Sequence, residues 1–271
     1  MHYSFIPHTI KAGALTFTLV LINSAAHAQP PEGEGPGADG SGWSLGIAAL
    51  TDQRAYTDFD RETIAFPFVS FENKYLRWFG PTLDFKLPGI TFSESQELNF
   101  NISLDYEFDG YDKDQADETL VLNGMGERKG GLWAGAKLEW RNPLVDTSLK
   151  WMGDASGNSK GQKISLGLEK TWFLGPQVMI TPHVTATHFD EKYVDYYYGV
   201  LENESRTGRP EYIGEAGLNV SYGLRAAYLF NQNHSMFVDL AATSLSNEIQ
   251  DSPLVDSSTE NSVFFVYMYS F

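Results

Sequence analysis

The stretch Leu98-Asn-Phe-Asn-Ile-Ser-Leu-Asp-Tyr-Glu-Phe108 decides the fold. Leu98, Phe100, Ile102, Leu104, Tyr106 and Phe108 alternate with Asn99, Asn101, Ser103, Asp105 and Glu107. Successive side chains of a strand point to opposite faces, so this segment carries one apolar and one polar face. It runs for eleven residues, the length a tilted strand needs to cross a bilayer. Strands of soluble sheets more often hold about five or six. In a soluble sheet the apolar face turns to a core. In a membrane barrel the faces swap, with apolar residues outward to lipid and polar or small ones inward.

The same alternation recurs on both sides of this strand. Leu132, Ala134, Ala136, Leu138 and Trp140 form one face, with Lys137, Glu139 and Arg141 on the other. Ile164, Leu166 and Leu168 oppose Ser165, Gly167 and Glu169. Ala216, Leu218, Val220, Tyr222 and Leu224 oppose Gly217, Asn219, Ser221, Gly223 and Arg225. The connections decide between sandwich and barrel. Asn142-Pro143, Leu174-Gly175-Pro176 and Asn231-Gln232-Asn233-His234 join strands tightly, while 109–130, 152–160, 190–214 and 247–261 are long and polar. Strict alternation of short and long links is the asymmetry of an outer-membrane barrel, with short periplasmic turns and long outer loops.

The pattern predicts an all-β fold: an antiparallel transmembrane β-barrel of about 12 strands. They fall near 42–50, 63–71, 75–79, 82–87, 98–108, 132–141, 144–151, 161–173, 177–189, 215–230, 235–246 and 262–271. The pair 75–79 and 82–87 is short, and its tight Gly80-Pro81 turn would face outside, so ten strands are the alternative. An even count leaves both ends of the barrel in the periplasm.

The bulk numbers fit one large domain. The chain has 271 residues, 14% of them aromatic, a formal net charge of −16 and no Cys. Acidity argues against nucleic acid as a partner and against a polybasic membrane-surface binder. Without Cys there is no disulfide, thiol nucleophile or lipidated Cys. The N-terminus reads as a cleaved signal peptide over residues 1–28. Lys11 is its positive charge, Ala12 to Ile22 its apolar core and Ala26-His27-Ala28 its cleavage site. Eleven apolar residues are too few for a helix spanning roughly 30 Å. Residues 29–41 (QPPEGEGPGADGS) have nothing to bury and read as a flexible periplasmic leader, either a tether or a plain spacer. Residues 42–271 are then the barrel.

The chain ends in alternating aromatics, with Phe265, Tyr267, Tyr269 and Phe271 sharing one face. An exposed aromatic edge strand of this kind suits strand addition by the barrel-assembly machinery; the alternative is simply a final core strand. If parity holds, Asp105, Glu107, Lys137, Glu139, Arg141, Lys150, Arg225 and Asp239 project into the lumen, and Trp133 and Trp172 turn inward with them. Mixed charges there either cross-link into a plug or line a pore.

Catalysis finds little support. His183, His188 and His234 do not share one face, and no G-x-S-x-G occurs. The glycines of 124–131 lack the strand-before, helix-after setting of a phosphate loop. Acids cluster at Asp109, Asp112, Asp114, Asp117 and Glu118, and again at Glu248, Asp251, Asp256 and Glu260. Their spacing does not match a calcium-binding loop. They read as solubilising loops, or as sites where divalent ions bridge to anionic lipopolysaccharide. No catalytic, cofactor or metal residue is expected.

A set of motifs in the second half resembles the MipA/OmpV family. These are Tyr196-Tyr197-Tyr198-Gly199-Val200, Arg209-Pro210-Glu211-Tyr212, Gly214-Glu215-Ala216-Gly217-Leu218, Tyr228-Leu229-Phe230 and Asp251-Ser252-Pro253-Leu254-Val255, followed by the aromatic terminus. The resemblance implies a non-enzymatic outer-membrane barrel in envelope organisation. Some members are described as scaffolds linking a lytic transglycosylase to a penicillin-binding protein; others look like porins or adhesins. A scaffold, a narrow small-solute channel and a surface adhesin using the outer loops are therefore all open readings.

Overall fold

The computed structural model describes residues 42–271. The expected signal peptide and leader, 1–28 and 29–41, lie outside the described residues. Thirteen strands follow in chain order: β1 (Gly42–Gln53), β2 (Glu62–Glu72), β3 (Leu76–Phe79), β4 (Thr82–Ser93), β5 (Gln96–Glu107), β6 (Gly131–Arg141), β7 (Asp146–Asp154), β8 (Gln162–Glu169), β9 (Trp172–Leu174), β10 (Val178–Phe189), β11 (Gly217–Leu229), β12 (His234–Ser244) and β13 (Thr259–Ser270). β8 and β9 both pair with β10 and are two parts of one stave, so the barrel has twelve staves. Each stave pairs antiparallel with its chain neighbours, and β1 pairs with β13 from Ser44↔Ser270 to Gln53↔Asn261 to close the cylinder.

Which face is outside follows from exposure. On β5, Asn101, Ser103, Asp105 and Glu107 are buried, whereas Ile102 and Tyr106 are 45% and 46% exposed. A water-soluble sheet would bury the second set. The inversion is what lipid as solvent requires. Closure matters for the same reason: a barrel leaves few backbone groups unpaired in a medium that cannot hydrogen-bond them.

The periplasmic turns are built by local chemistry. The Asn142 side-chain oxygen accepts from the Leu144 and Val145 N–H groups at 2.9 and 3.2 Å, an Asx turn that reverses the chain in four residues. Gly175 turns at φ +78°, a conformation that suits glycine. The long outer connections are not featureless. They hold α1 (Lys113–Glu118), α2 (Glu191–Tyr198), a 3-10 turn (Glu202–Glu204) and α3 (Asn247–Gln250). Asp112 and Gln115 form a reciprocal capping box at the start of α1, and the Asp190 side chain accepts from Tyr193 N–H at 3.0 Å to start α2.

Two expectations need correction. Trp172 faces lipid, 52% exposed, and not the lumen. The stave breaks at Lys170 and Thr171, but its period of two continues across the break. The Thr171 hydroxyl lies 2.9 Å from the Thr181 hydroxyl on the inner face, which sends the next residue outward into the aromatic belt near the periplasmic rim. The short strands also differ in length from their expected spans. β3 has only four residues, while β4 runs on to Ser93, past a register shift between Leu87 and Ile90.

Candidate functional site

The lumen is lined by two chemically distinct walls. One, from β3 to β8, is charged. Lys150 Nζ lies 2.5 Å from Asp105 Oδ2, Lys137 Nζ lies 2.8 Å from Glu139 Oε1, and Lys163 pairs with Glu107. Arg77 reaches Asp84 and Glu139 at 3.9 and 3.8 Å. Further round, Arg225 Nε donates to Asp239 Oδ2 at 2.9 Å, and His183 Nε2 is 3.2 Å from Asp239 Oδ1. Arg141, near the periplasmic end, is half-buried and 3.6 Å from Glu97. All of these except Arg141, Glu97 and the half-buried Lys163 are buried. Burying a charge is expensive unless it is paired and hydrogen-bonded, so each pair is also a cross-link between staves.

The other wall, from β10 round to β3, is apolar in its lower part, beneath His183, Arg225 and Asp239. Ala48, Phe68, Met179, Ala227, Phe237 and Val266 pack with Phe66, Phe79, Leu229, Phe264 and Met268. The rings of Phe79 and Phe237 stack at 6.2 Å from β3 to β12, and Phe237 meets Phe264 edge-on at 5.7 Å. These aromatic contacts cut across the lumen as a chord and fill part of its lower half.

The outer mouth is covered by the loops, which share a second apolar cluster: Tyr56, Tyr111, Leu122, Trp133, Tyr193, Val194, Tyr197, Tyr198, Val200, Ile249 and Leu254. The family motif sits here. Tyr197, Tyr198, Gly199 and Val200 are buried, and Tyr196 is half-buried. Tyr198 stacks on Tyr56 at 5.5 Å, and the Tyr56 hydroxyl donates to Tyr197 O at 2.9 Å. Burial pushes the Tyr56, Tyr193 and Tyr198 hydroxyls well above their ordinary pKa and raises Tyr111 to about 12, so none is ionised at neutral pH. Arg209 donates to the backbone carbonyls of Glu204, Val121 and Asn123 at 2.6, 2.5 and 3.1 Å. Pro210 beside it is exposed. The Tyr212 hydroxyl donates to Glu248 O at 2.5 Å and joins the second-last and last outer loops. Arg128 and Glu204 pair at 2.7 Å.

Between lid and lower wall lies a chamber of ≈ 130 Å³. Its floor and sides bring together Glu107, Lys137, Lys150 and Lys163 with hydroxyls of Ser165, Thr187, Ser221 and Thr243, under Tyr193 and Tyr197. Parity alone pointed to Glu107, Lys137 and Lys150. Lys163 was not among the expected lumen residues, although its parity, opposite Ile164 and Leu166, would have placed it there. Arg54, which ties Asp52, Glu62 and Gly110 O together at 3.3, 2.8 and 2.6 Å, gave no sequence signal because it stands in a loop. Among the described residues no group of three His, Cys, Asp or Glu side chains converges as a metal site. Phe265, Tyr267, Tyr269 and Phe271 line the outer face at the chain end; in the closed barrel β13 is paired on both edges.

A closed antiparallel cylinder with a lipid-compatible exterior, charged interior and long outer loops defines an outer-membrane β-barrel protein. The sequence profile described as MltA-interacting protein MipA matches residues 45–271, and the chain belongs to that family. It is 27% identical over 228 residues to the outer membrane protein YiaT of Escherichia coli, covering 81% of this chain and 87% of that one. It is 24% identical over 244 residues to the MltA-interacting protein of Escherichia coli, covering 88% and 91%. The outer membrane protein OmpV of Vibrio cholerae is 25% identical over 161 residues, 59% of this chain and 61% of that one. Among solved structures, the COG4313 outer membrane channel from Pseudomonas putida superposes with a TM-score of 0.45 at 12% identity, over 90% of this chain and 100% of that one. The protein resides in the outer membrane, as its relatives do.

Proposed function

We propose that this protein is a closed, non-enzymatic outer-membrane barrel that serves envelope organisation as a docking scaffold. One observation carries the reading: the lumen is obstructed at two levels, by the loop lid above and by the phenylalanine chord and ion pairs below. A permanently open pore has no use for both. The relative named for interacting with MltA supports a periplasmic partner of the same kind, a lytic transglycosylase, with a penicillin-binding protein as the further partner that the family resemblance implies. The short periplasmic turns and the leader 29–41 are the surfaces within its reach. Barrel-assembly machinery acting on the terminal strand, and lipopolysaccharide around the outer rim, complete the expected partners.

The test pairs two measurements on the refolded, heat-modifiable protein. In planar bilayers it is expected to stay silent, and in membranes it is expected to cross-link to a murein-cleaving enzyme through its periplasmic side. Reproducible conductance steps without any cross-linked enzyme would replace the scaffold by a channel.

A narrow channel is the second reading, and the chamber favours it. A pocket of ≈ 130 Å³ enclosed between two obstructions is the arrangement of a gated path. The adhesin reading loses its best residues, since Tyr197 and Tyr198 are buried in the lid.

A further inference from the structure

Charge is unevenly balanced in the chamber beneath the lid. Every cation that lines it is engaged. Lys150 pairs with Asp105, Lys137 with Glu139 and Lys163 with Glu107, and Arg54 spends its three nitrogens on Asp52, Glu62 and the Gly110 carbonyl. An anionic guest therefore finds no uncommitted partner. Two more carboxylates line the same space, Asp109 and Glu260. Among the described residues neither forms an ion pair: Asp109 Oδ2 accepts from the Tyr193 hydroxyl at 2.8 Å, and Glu260 Oε1 from the Ala55 N–H at 3.2 Å. One hydrogen bond leaves most of a carboxylate's acceptor capacity unused, and an enclosed charge is costly without a counter-charge.

The chamber already meets one carboxylate with an ammonium group of the chain itself. Lys163 pairs with Glu107 while its Nζ lies 4.5 Å from the Trp133 ring centre and 6.0 Å from that of Tyr193. Carboxylate and aromatic faces together suit an alkylammonium, through charge and cation–π attraction. Asp109 and Glu260 repeat the arrangement without a lysine. Tyr56 and Tyr198, stacked at 5.5 Å, line the chamber with them. Burial holds both hydroxyls well above their ordinary pKa, and the charges of Glu260 and Asp109 raise them further. Both rings are therefore neutral and within electrostatic reach of both carboxylates. A metal ion fits less well, since among the described residues no three His, Cys, Asp or Glu side chains converge. Two staves from Glu260, on β11, Asn219 also lines the chamber and is only 7% exposed. Its Oδ1 accepts from the Ser246 N–H at 2.9 Å, which leaves Nδ2 as a donor with no acceptor among the described residues. A hydroxyl on the guest suits that donor.

We propose that the chamber binds a small organic ammonium ion carrying a hydroxyl group, of the size of choline. Its ammonium sits among Glu260, Asp109 and the tyrosine rings, and its hydroxyl oxygen accepts from Asn219 Nδ2. A volume of ≈ 130 Å³ has room for about ten water-sized atoms, enough for such an ion. The site stands whether the barrel is a scaffold or a channel, because binding is read apart from conductance.

The test is equilibrium dialysis of labelled choline against the refolded mature protein in non-ionic detergent at low salt, which tolerates slow entry past the lid. The uncharged isostere 3,3-dimethyl-1-butanol and potassium are expected to displace choline at least about tenfold less well than unlabelled choline does. Tetramethylammonium, which lacks the hydroxyl, is expected to fall short by about fivefold. Glu260→Gln and Asp109→Asn are each expected to weaken choline about tenfold, while Glu97→Gln, at the far end of β5, leaves it unchanged. Heat-modifiability on gels reports folding, and Asp109→Asn carries the test should Glu260→Gln not fold. No bound choline, equal displacement by the uncharged isostere, or full affinity in the folded carboxylate variants would each overturn the proposal. Equal displacement by potassium would assign the carboxylates to an inorganic cation, and equal displacement by tetramethylammonium would remove the hydroxyl; either refutes the class proposed.

Discussion

At the scale of residues, the buried Lys150–Asp105 pair shows how a charged lumen stays stable. Lys150 reaches Asp105 at 2.5 Å with both side chains out of solvent. Removing one partner of a buried pair strands the other charge, at about 3–5 kcal/mol, whereas replacing both with apolar residues is often neutral or stabilising. Lys150→Ala is therefore expected to lower the unfolding free energy by about that amount in urea titrations of the refolded barrel, and Asp105→Leu with Lys150→Met is expected to restore most of it. Equal losses in the single and double variants would show that the pair does not act as a unit. Alternation along single strands made the inward positions of Asp105, Glu107, Lys137 and Lys150 legible, because parity survives any change of partner or register by two. The same alternation, carried on from outward Ile164, Leu166 and Leu168, puts Trp172 outward as well, so the inward expectation for Trp172 ran against parity. Arg54 was illegible for a different reason: its role comes from the meeting of three loops and strands distant in sequence.

At the scale of elements, the lid is the part the sequence disclosed least. Residues 109–130 and 190–214 read as polar loops, yet they fold into helices and an aromatic cluster. In α2, Tyr193, Val194, Tyr197 and Tyr198 recur at i, i+1, i+4 and i+5, a helical spacing, but over only two turns inside a polar loop, and their burial depends on one loop covering another. The Arg128–Glu204 pair clamps these two loops at 2.7 Å, and Glu204 also accepts from Gly126 N–H at 2.9 Å. Burial favours the neutral Glu204 carboxyl, but the hydrogen bond from Arg128 and those from backbone N–H groups outweigh it and hold its pKa below the ordinary 4.5. A depressed folded-state pKa means stability present above the unfolded value and lost as pH falls through the folded one. Backbone amides of 121–128 and 201–206 are therefore expected to exchange hydrogen faster, relative to the barrel strands, once the pH drops below the ordinary carboxylate range. In Arg128→Ala they are expected to exchange fast already at pH 7, with the acid step gone. An acid step that persists in Arg128→Ala would assign it to another carboxylate.

At the scale of the whole molecule, the two obstructions are held by unrelated interactions, so they are expected to be independent. The lid rests on tyrosine packing and loop hydrogen bonds. The lower chord rests on Phe79, Phe237 and Phe264, whose ring contacts lie in a cluster separate from that of the lid. Mutations at separated sites without shared partners usually add. Deleting 191–214 is then expected to leave a folded barrel that stays silent in planar bilayers, because the lower chord remains. Phe237→Ala with Phe264→Ala is expected to be silent as well, because the lid remains. Only the combination is expected to give conductance steps, through a lumen whose surviving charges, Lys137 and Arg225 among them, bias ion selectivity so that neutralising either shifts the reversal potential. Steps from the lid deletion alone would make the lid the sole gate and move the balance from scaffold to channel. Silence of the combined variant would mean that the ion pairs seal the lumen by themselves, and the barrel would then be a solid stave cylinder whose function lies wholly on its two rims.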